Sequence, residues 1–406
     1  MPRVSVSPKV LRWARDRAGL AADDLAERFP GWTAWEAGTA QPSMKQLEDF
    51  AKATRTPFGF LFLPEPPSMP LPFADFRTLD TTRGRSISPE LLDTIHLMQS
   101  RQAWLREEQM EAGEEPLSFI GAAKLEEDPA AAGREMRRVV GLDDGWAERV
   151  STWTAAVGEL RNAIEALGVM AVINGVVGNS TRRKLEVTEF RGFALSDPYA
   201  PVIFVNGSDA KSAQMFTLAH ELAHLWLGKE GEGLSGFSNL IPDGGEVETF
   251  CDRAAAEFLV PATEFTEEWP RVMQSDKPFE RLAKRFKVSP VVIGRRALDL
   301  RLVKRSEFIQ FYTDYTRQER HKRSKETGGG DFYNNQNARL GRLFATRLIQ
   351  AAKEGRLGFK EAYDLSGLKG GTFQKYAQRL GPTPLNQKLP SSREEGGTRA
   401  QRLVGW

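Results

Sequence analysis

The stretch that most constrains the fold is residues 215–228, which read MFTLAHELAHLWLG. Apolar residues at helical spacing fill it, and the final glycine is typical of a helix end. A helix of this composition is predicted to lie largely buried within a core. His220 and His224 are four residues apart. Such residues share one helix face, about one turn apart, so the fold must also bring suitable partners to that face.

This spacing lets both imidazoles reach one tetrahedral Zn²⁺ from successive turns. Glu221 follows the first histidine, so its carboxylate can take a proton from the attacking water without binding the metal. The chain has 4 histidines, and the pattern uses two of them, which makes a chance match uncommon. The competing interpretation is a pair of core histidines that bind other partners.

A catalytic zinc needs a third protein ligand and an open position for water. Glu248 is the strongest candidate, because residues 248–261, ETFCDRAAAEFLVP, predict a second helix that ends before the proline. Asp252 lies four residues further on the same face. We predict that Glu248 binds the metal and that Asp252 accepts the free ring N–H of a ligating histidine.

Three alternatives stay open at this third position. Glu248 could instead be an exposed acid near the positive end of a helix dipole. Glu246 is another candidate ligand, and we predict that it lies in a loop. Glu257 is a third, about half a turn away from the face of Glu248, and a structural role suits it better.

The segment before the histidine helix has the pattern of a small sheet. Residues 169–173 (VMAVI), 192–195 (GFAL) and 202–205 (VIFV) are short and rich in β-branched or apolar residues, so they predict strands. Residues 174–183 and 196–200 are predicted turns. Helical patterns precede this sheet from residue 89 to about 167, and they return after residue 261.

Composition favours a cytoplasmic protein with a sizeable core. Of 406 residues, 40% are hydrophobic and 27% charged, which is ordinary for globular chains. No apolar run is long enough to cross a bilayer, and the first residues do not resemble a signal peptide. Cys251 is the only cysteine, so an internal disulfide is impossible. We therefore expect no membrane partner.

The N-terminal segment carries LRWARDRAG, DDLAERF, WEAG and QPSMKQLEDFAKAT, and it resembles the helix-turn-helix of Xre-type phage repressors. Only residues 30–34 separate Phe29 from Trp35, and they begin with the turn signal Pro30-Gly31. The element that would enter the major groove is therefore about one turn short. We expect no operator-specific binding, and packing or protein binding is the alternative use of this segment.

Residues 276–326 contain 15 Lys plus Arg and 7 Asp plus Glu, a local positive excess. The simplest interpretation is a solvated helical surface. The alternative is a surface for an acidic partner or for weak, non-specific nucleic acid binding, which would fall steeply with salt.

The two predicted metal-binding segments and a third, helical segment carry a more specific resemblance. Over about residues 165–305 the chain resembles the ImmA/IrrE metallopeptidase family. The resemblance is carried by FTLAHELAHLWL, by the sequence from Glu248 to Pro261, and by FERLAKRFKVSPVVIGRRAL. The family more often has Asn where Asp252 stands. The resemblance implies that His220, His224 and Glu248 bind Zn²⁺ and that Glu221 is the catalytic base. It also implies a cytoplasmic protease that cleaves a repressor and so switches on genes of mobile elements or stress responses.

These patterns predict an α+β fold, with a zincin-like core of small sheet and metal helix between helical regions. The predicted divisions are a degenerate Xre-like bundle at 1–63, a Pro-rich connector at 64–88, a zincin-like domain at 89–267, a basic helix-turn-helix-like region at 268–326, a helical region at 327–381 and a disordered tail at 382–406. The loop 228–245 is interpreted either as a lid beside the cleft or as a plain surface loop.

The predicted activity is zinc-dependent cleavage of a regulatory protein, bound extended along an edge strand. One alternative is a zinc-binding transcriptional regulator or toxin–antitoxin component without protease activity. Another is a zinc hydrolase that acts on a small molecule. Oligomeric state does not follow from the sequence.

Overall fold

The structure is a computed structural model that describes residues 3–67, 87–228, 245–322 and 332–380. Most of the predicted connector at 64–88 lies outside the described residues. The interior of the loop 228–245, the glycine run at 328–330 and the predicted tail at 382–406 lie outside them too.

The N-terminal segment forms short helices around a small apolar core. They are α1 (Pro8–Arg17), α2 (Ala22–Arg28), α3 (Trp32–Glu36), α4 (Met44–Thr54) and a 3₁₀ turn at Phe58–Phe62. Helix α4 begins with a capping box, in which Ser43 and Gln46 each accept a hydrogen bond from the other's backbone N–H. Helix α3 has 5 residues, and both of its tryptophans are buried. The DNA-binding potential of this segment stays a prediction.

Thirteen further helices are described: α5 (Pro89–Glu111), α6 (Pro129–Val140), α7 (Trp153–Ala166), α8 (Lys211–Leu227), α9 (Glu246–Leu259), α10 (Ala262–Val272), α11 (Pro278–Phe286), α12 (Pro290–Asp299), α13 (Arg305–Lys322), α14 (Phe332–Leu340), α15 (Arg342–Lys353), α16 (Phe359–Ser366) and α17 (Gly370–Leu380). Within the described ranges, no helix combines the length and apolar composition needed to cross a membrane.

The three predicted strands form one sheet. They are β1 (Met170–Asn174), β4 (Gly192–Leu195) and β5 (Val202–Asn206), in the order β1-β5-β4. Strand β5 is parallel to β1 and antiparallel to β4. The predicted positions are confirmed to within one residue. The sheet and the many helices give the predicted mixed α+β architecture.

The predicted turn at residues 174–183 is wrong. It contains a hairpin of β2 (Val176–Val177) and β3 (Ser180–Lys184), paired antiparallel. Strand β3 reads STRRK and is almost entirely exposed. It therefore lacks the apolar residues on alternate positions that identify a half-buried strand in a sequence.

Successive residues along the strands of the three-stranded sheet point to opposite faces, and each face packs against its own hydrophobic core. On β5, Ile203 and Val205 join the core of α7 and α8, whereas Val202 and Phe204 join the core on the opposite face. Helices α5, α15, α16 and α17 supply that second core. The sheet is thus covered on both faces, and α9 to α12 share the first core with α8.

Candidate metal centre

The C-terminal end of α8 is fixed by a neighbouring loop. Phe119 stacks on Trp226 with ring centroids 4.6 Å apart, and Gly121 N–H donates to Leu225 O at 3.0 Å. Gly228 ends the helix with φ +66°, and a Cβ at this position would lie 2.7 Å from Gly121 Cα. Glycine is therefore required there both for its backbone conformation and for the close approach.

Helix α8 is buried as predicted, because it lies between the sheet and α7, α6 and α9. His220, Glu221 and His224 are at most 2% exposed. Buried polar side chains must bind partners, since an unpaired polar group is costly in an apolar interior.

The structure brings His220, His224 and Glu248 together. The two Nε2 atoms are 3.1 Å apart. Oε2 of Glu248 lies 3.2 Å from Nε2 of His220, and its Oε1 lies 3.3 Å from Nε2 of His224. Ligand atoms at about 2.0–2.1 Å from a tetrahedral zinc stand about 3.3 Å from one another. Two imidazoles and a carboxylate at these separations fit Zn²⁺ both in donor type and in size.

The same three side chains perturb one another's protonation. Burial lowers the pKa of the His220 imidazole, but the carboxylates of Asp252 and Glu248 outweigh burial and hold that pKa well above its usual value. Burial raises the pKa of Glu248, but His220 and His224 outweigh it and hold that pKa far below the usual range. The site therefore attracts positive charge into a buried position.

Asp252 lies beside the other ring nitrogen of His220. Its Oδ1 is 3.0 Å from His220 Nδ1. The Asp252 side chain is 61% exposed. A carboxylate in this position can orient the imidazole and increase its basicity as a ligand.

Replacing Asp252 by Ala is expected to weaken zinc affinity by about 10–100-fold without abolishing binding, because the partner that orients a ligand is lost. A competition titration with a zinc chelator measures this. The Asp252→Asn variant is the matched control, since an amide oxygen can still accept the ring N–H, and it should stay near wild type. Equal affinity in the Ala variant would leave Asp252 as an ordinary surface residue.

The candidate base Glu221 lies against the sheet, and this contact involves a residue that sequence reasoning missed. Gly192 is the first residue of β4, and a Cβ built on it would lie 3.0 Å from Glu221 Oε1. The same Cβ would lie 2.5 Å from Thr217 Cγ2 and 2.8 Å from Phe204 O. A glycine within a strand often marks such a close approach, and this was the available signal.

A Gly192→Ala variant is expected to lose about 1–3 kcal/mol of stability, because overpacking forces the neighbours to move. The predicted peptidase activity should fall further than stability alone explains, because Glu221 is among the displaced groups. Urea unfolding and cleavage rates measure the two effects. Gly158→Ala is the control, since a Cβ there meets nothing within 4 Å in α7. Equal behaviour of the two variants would contradict this role of Gly192.

The alternative ligands are directed elsewhere. Glu257 forms a buried ion pair with Arg296 and lies 3.7 Å from Arg134 Nη1. Glu246 begins helix α9, so its predicted position in a loop is wrong, and it is outside the metal-binding group. A negative residue in a first helical turn is favoured by the helix dipole, which explains where the helix starts.

Two parts of the chain are similar to known protein families. A family model described as IrrE N-terminal-like domain matches residues 175–298, and a model of a domain of unknown function (DUF8813) matches residues 340–379. The radiation response metalloprotease IrrE of Deinococcus radiodurans is 35% identical over 98 residues. That match covers 23% of this chain and 29% of the relative, so the chain spans less than a third of it. Residues 175–298 include His220, Glu221, His224 and Glu248, so the part of the chain that holds this centre is similar to the IrrE N-terminal-like domain, as the ImmA/IrrE resemblance of the sequence predicts.

Proposed function

We propose that the chain is a cytoplasmic zinc-dependent endopeptidase that cleaves a repressor or another regulatory protein. The observation that carries the proposal is the group of His220, His224 and Glu248. The buried carboxylate of Glu221 lies beside this group, on the helix of the two histidines. Two imidazoles and a glutamate leave one position of a tetrahedral zinc for water, as hydrolytic zinc sites require.

In this proposal each residue has one role. His220, His224 and Glu248 would hold the zinc, and Asp252 would orient His220. Bound zinc would act as a Lewis acid on the peptide carbonyl and lower the pKa of water. The Glu221 carboxylate takes the proton of the attacking water and delivers it to the leaving nitrogen.

The sheet offers a place for the substrate that suits a zincin-like core. Strand β4 is an outer strand of the three-stranded sheet, and its first residue lies against Glu221. An extended peptide that pairs with this edge would be held by main-chain hydrogen bonds, which need no particular sequence. Its scissile bond would then lie near the carboxylate of Glu221.

The basic segment gives only limited support to a nucleic acid partner. Arg296 is buried and paired with Glu257, and Arg285 pairs with Glu148 at 2.8 Å. Lys287 is also buried. Part of the positive excess at residues 276–326 thus serves internal contacts, and we propose at most weak, salt-sensitive binding by the remainder.

The test is incubation of the purified zinc-loaded protein with regulators encoded by neighbouring genes, followed by intact-mass analysis. The proposal expects two fragments of one regulator, and no fragments after chelation. A zinc-binding regulator without activity would give zinc but no fragments from any of them. A small-molecule hydrolase would also leave every regulator intact.

A further inference from the structure

A second site lies away from the metal centre, where the N-terminal helices meet the peptidase. It is a cleft of about 660 Å³ between α4 with the following 3₁₀ turn and the first half of α5 with β3. We call it the inter-unit cleft. Its volume is that of a small-molecule site. None of His220, Glu221, His224, Glu248 and Asp252 lines it.

Positive side chains dominate the polar lining of the inter-unit cleft. Arg17, Lys52 and Arg55 come from the N-terminal helices, and Arg183 comes from β3. The acidic side chains among its lining residues are Glu48 and Asp93. Cations in a partly buried cleft repel one another unless an anion joins them.

The carboxylates on the peptidase side of the cleft are already engaged. Arg183 contacts Asp93 at 2.6 Å and Glu90 at 3.3 Å. Arg55 also contacts Glu90. These two arginines therefore share the acids that could otherwise pair with Arg17.

Arg17 is the cation that lacks a counter-charge. It is 8% exposed, its Nη2 donates to the backbone carbonyl of Arg55 at 2.6 Å, and its guanidinium lies over the Trp13 ring. Among the described residues its Nε has no acceptor and no carboxylate forms an ion pair with it. Burial lowers the pKa of Arg17, an effect that Asp93 partly counteracts and Arg183 increases. A buried guanidinium in this state is stabilised by an added anion.

Apolar side chains line the same cleft beside the cations. Pro57, Phe58, Phe60 and Leu92 contribute them, and the Phe58 ring packs edge-on against Phe62 while its side chain remains exposed. Aromatic and aliphatic surface next to arginines suits a molecule with a flat apolar part and an anionic part. Arginine in particular matches the geometry of phosphate oxygens.

We propose that the inter-unit cleft binds a small phosphorylated molecule with a planar apolar group, a nucleotide being the simplest case. Both sides of the cleft contribute residues to it, so the bound ligand holds the N-terminal helices against the peptidase. Ligand binding then stabilises this arrangement in proportion to occupancy. The inference goes beyond the peptidase activity and does not depend on it.

The test is calorimetric titration of the full chain with ATP, tripolyphosphate and adenosine. We expect saturable binding of ATP, weaker binding of tripolyphosphate and the weakest binding of adenosine. Lys52→Gln and Arg55→Gln should each weaken ATP binding by about tenfold or more, because a charge-assisted contact is lost. Lys45→Gln is the matched control, since this lysine is on the same helix but outside the cleft.

Phosphate chains also bind zinc, so the titration is repeated on chelated protein. Equal ATP affinity with and without zinc supports the inter-unit cleft. Binding that disappears with the zinc would assign ATP to the metal centre and overturn the proposal. Absence of saturable ATP binding, equal weakening in the Lys45→Gln control, or a DNA duplex binding through the same residues in place of ATP would overturn it as well.

Discussion

A chain with Glu221→Gln is expected to retain zinc and to cleave its substrate about 10²–10⁴-fold more slowly, the usual contribution of a general base. Glutamine keeps the size and the hydrogen-bonding oxygen of the side chain but cannot take a proton. Glu221 is fully buried beside Gly192, so no other described carboxylate can occupy its position without moving the helix or the strand.

The measurements are zinc content and cleavage rate on the same preparation. Glu246→Gln is a matched control, because Glu246 is an acid in the first turn of α9 but lies outside the metal-binding group. It should leave both quantities unchanged. Cleavage by Glu221→Gln at the wild-type rate would remove Glu221 from the mechanism, whatever the zinc content.

The second large effect concerns the metal itself. His220→Ala, His224→Ala and Glu248→Ala should each reduce zinc from about one per chain to a small fraction, because a tetrahedral site loses one of three protein ligands. Activity should fall with the metal. Elemental analysis after gel filtration measures the loss, and Glu246→Ala should keep its zinc.

Buried histidines also contribute to packing, so the ligand variants need a test of folding. Circular dichroism at low temperature should show wild-type helix content in each, because α8 contacts the sheet and α9 through many other residues. A folded Glu248→Ala chain with full zinc would show that another residue is the third ligand.

The parts of the site that could be predicted are those set by local spacing. His220 and His224 are one turn apart on any helix, so their convergence follows from the sequence. The helix of Glu248 and Asp252 was predictable for the same reason. The packing of this second helix, α9, against α8 depends on contacts between residues distant in sequence, so spacing does not predict it. Glu248 could be chosen only because a zinc site needs a third protein ligand.

The missed features depend on tertiary contacts. Strand β3 pairs with β2 although its side chains are polar and exposed, so no apolar pattern marked it. Gly192 has significance only because Glu221 and Thr217 approach it from a helix that follows it in the chain. Similarly, nothing in residues 342–380 indicated that α15 to α17 cover the second face of the sheet.

Zinc at this centre is proposed to perform peptide cleavage. The most direct test is to remove the metal with a chelator, exchange the protein into metal-free buffer, and add zinc back in steps while following cleavage of the identified regulator. We expect cleavage to rise in proportion to bound zinc and to reach its plateau at about one zinc per chain. Full cleavage by the metal-free protein, or one bound zinc without any return of cleavage, would contradict it.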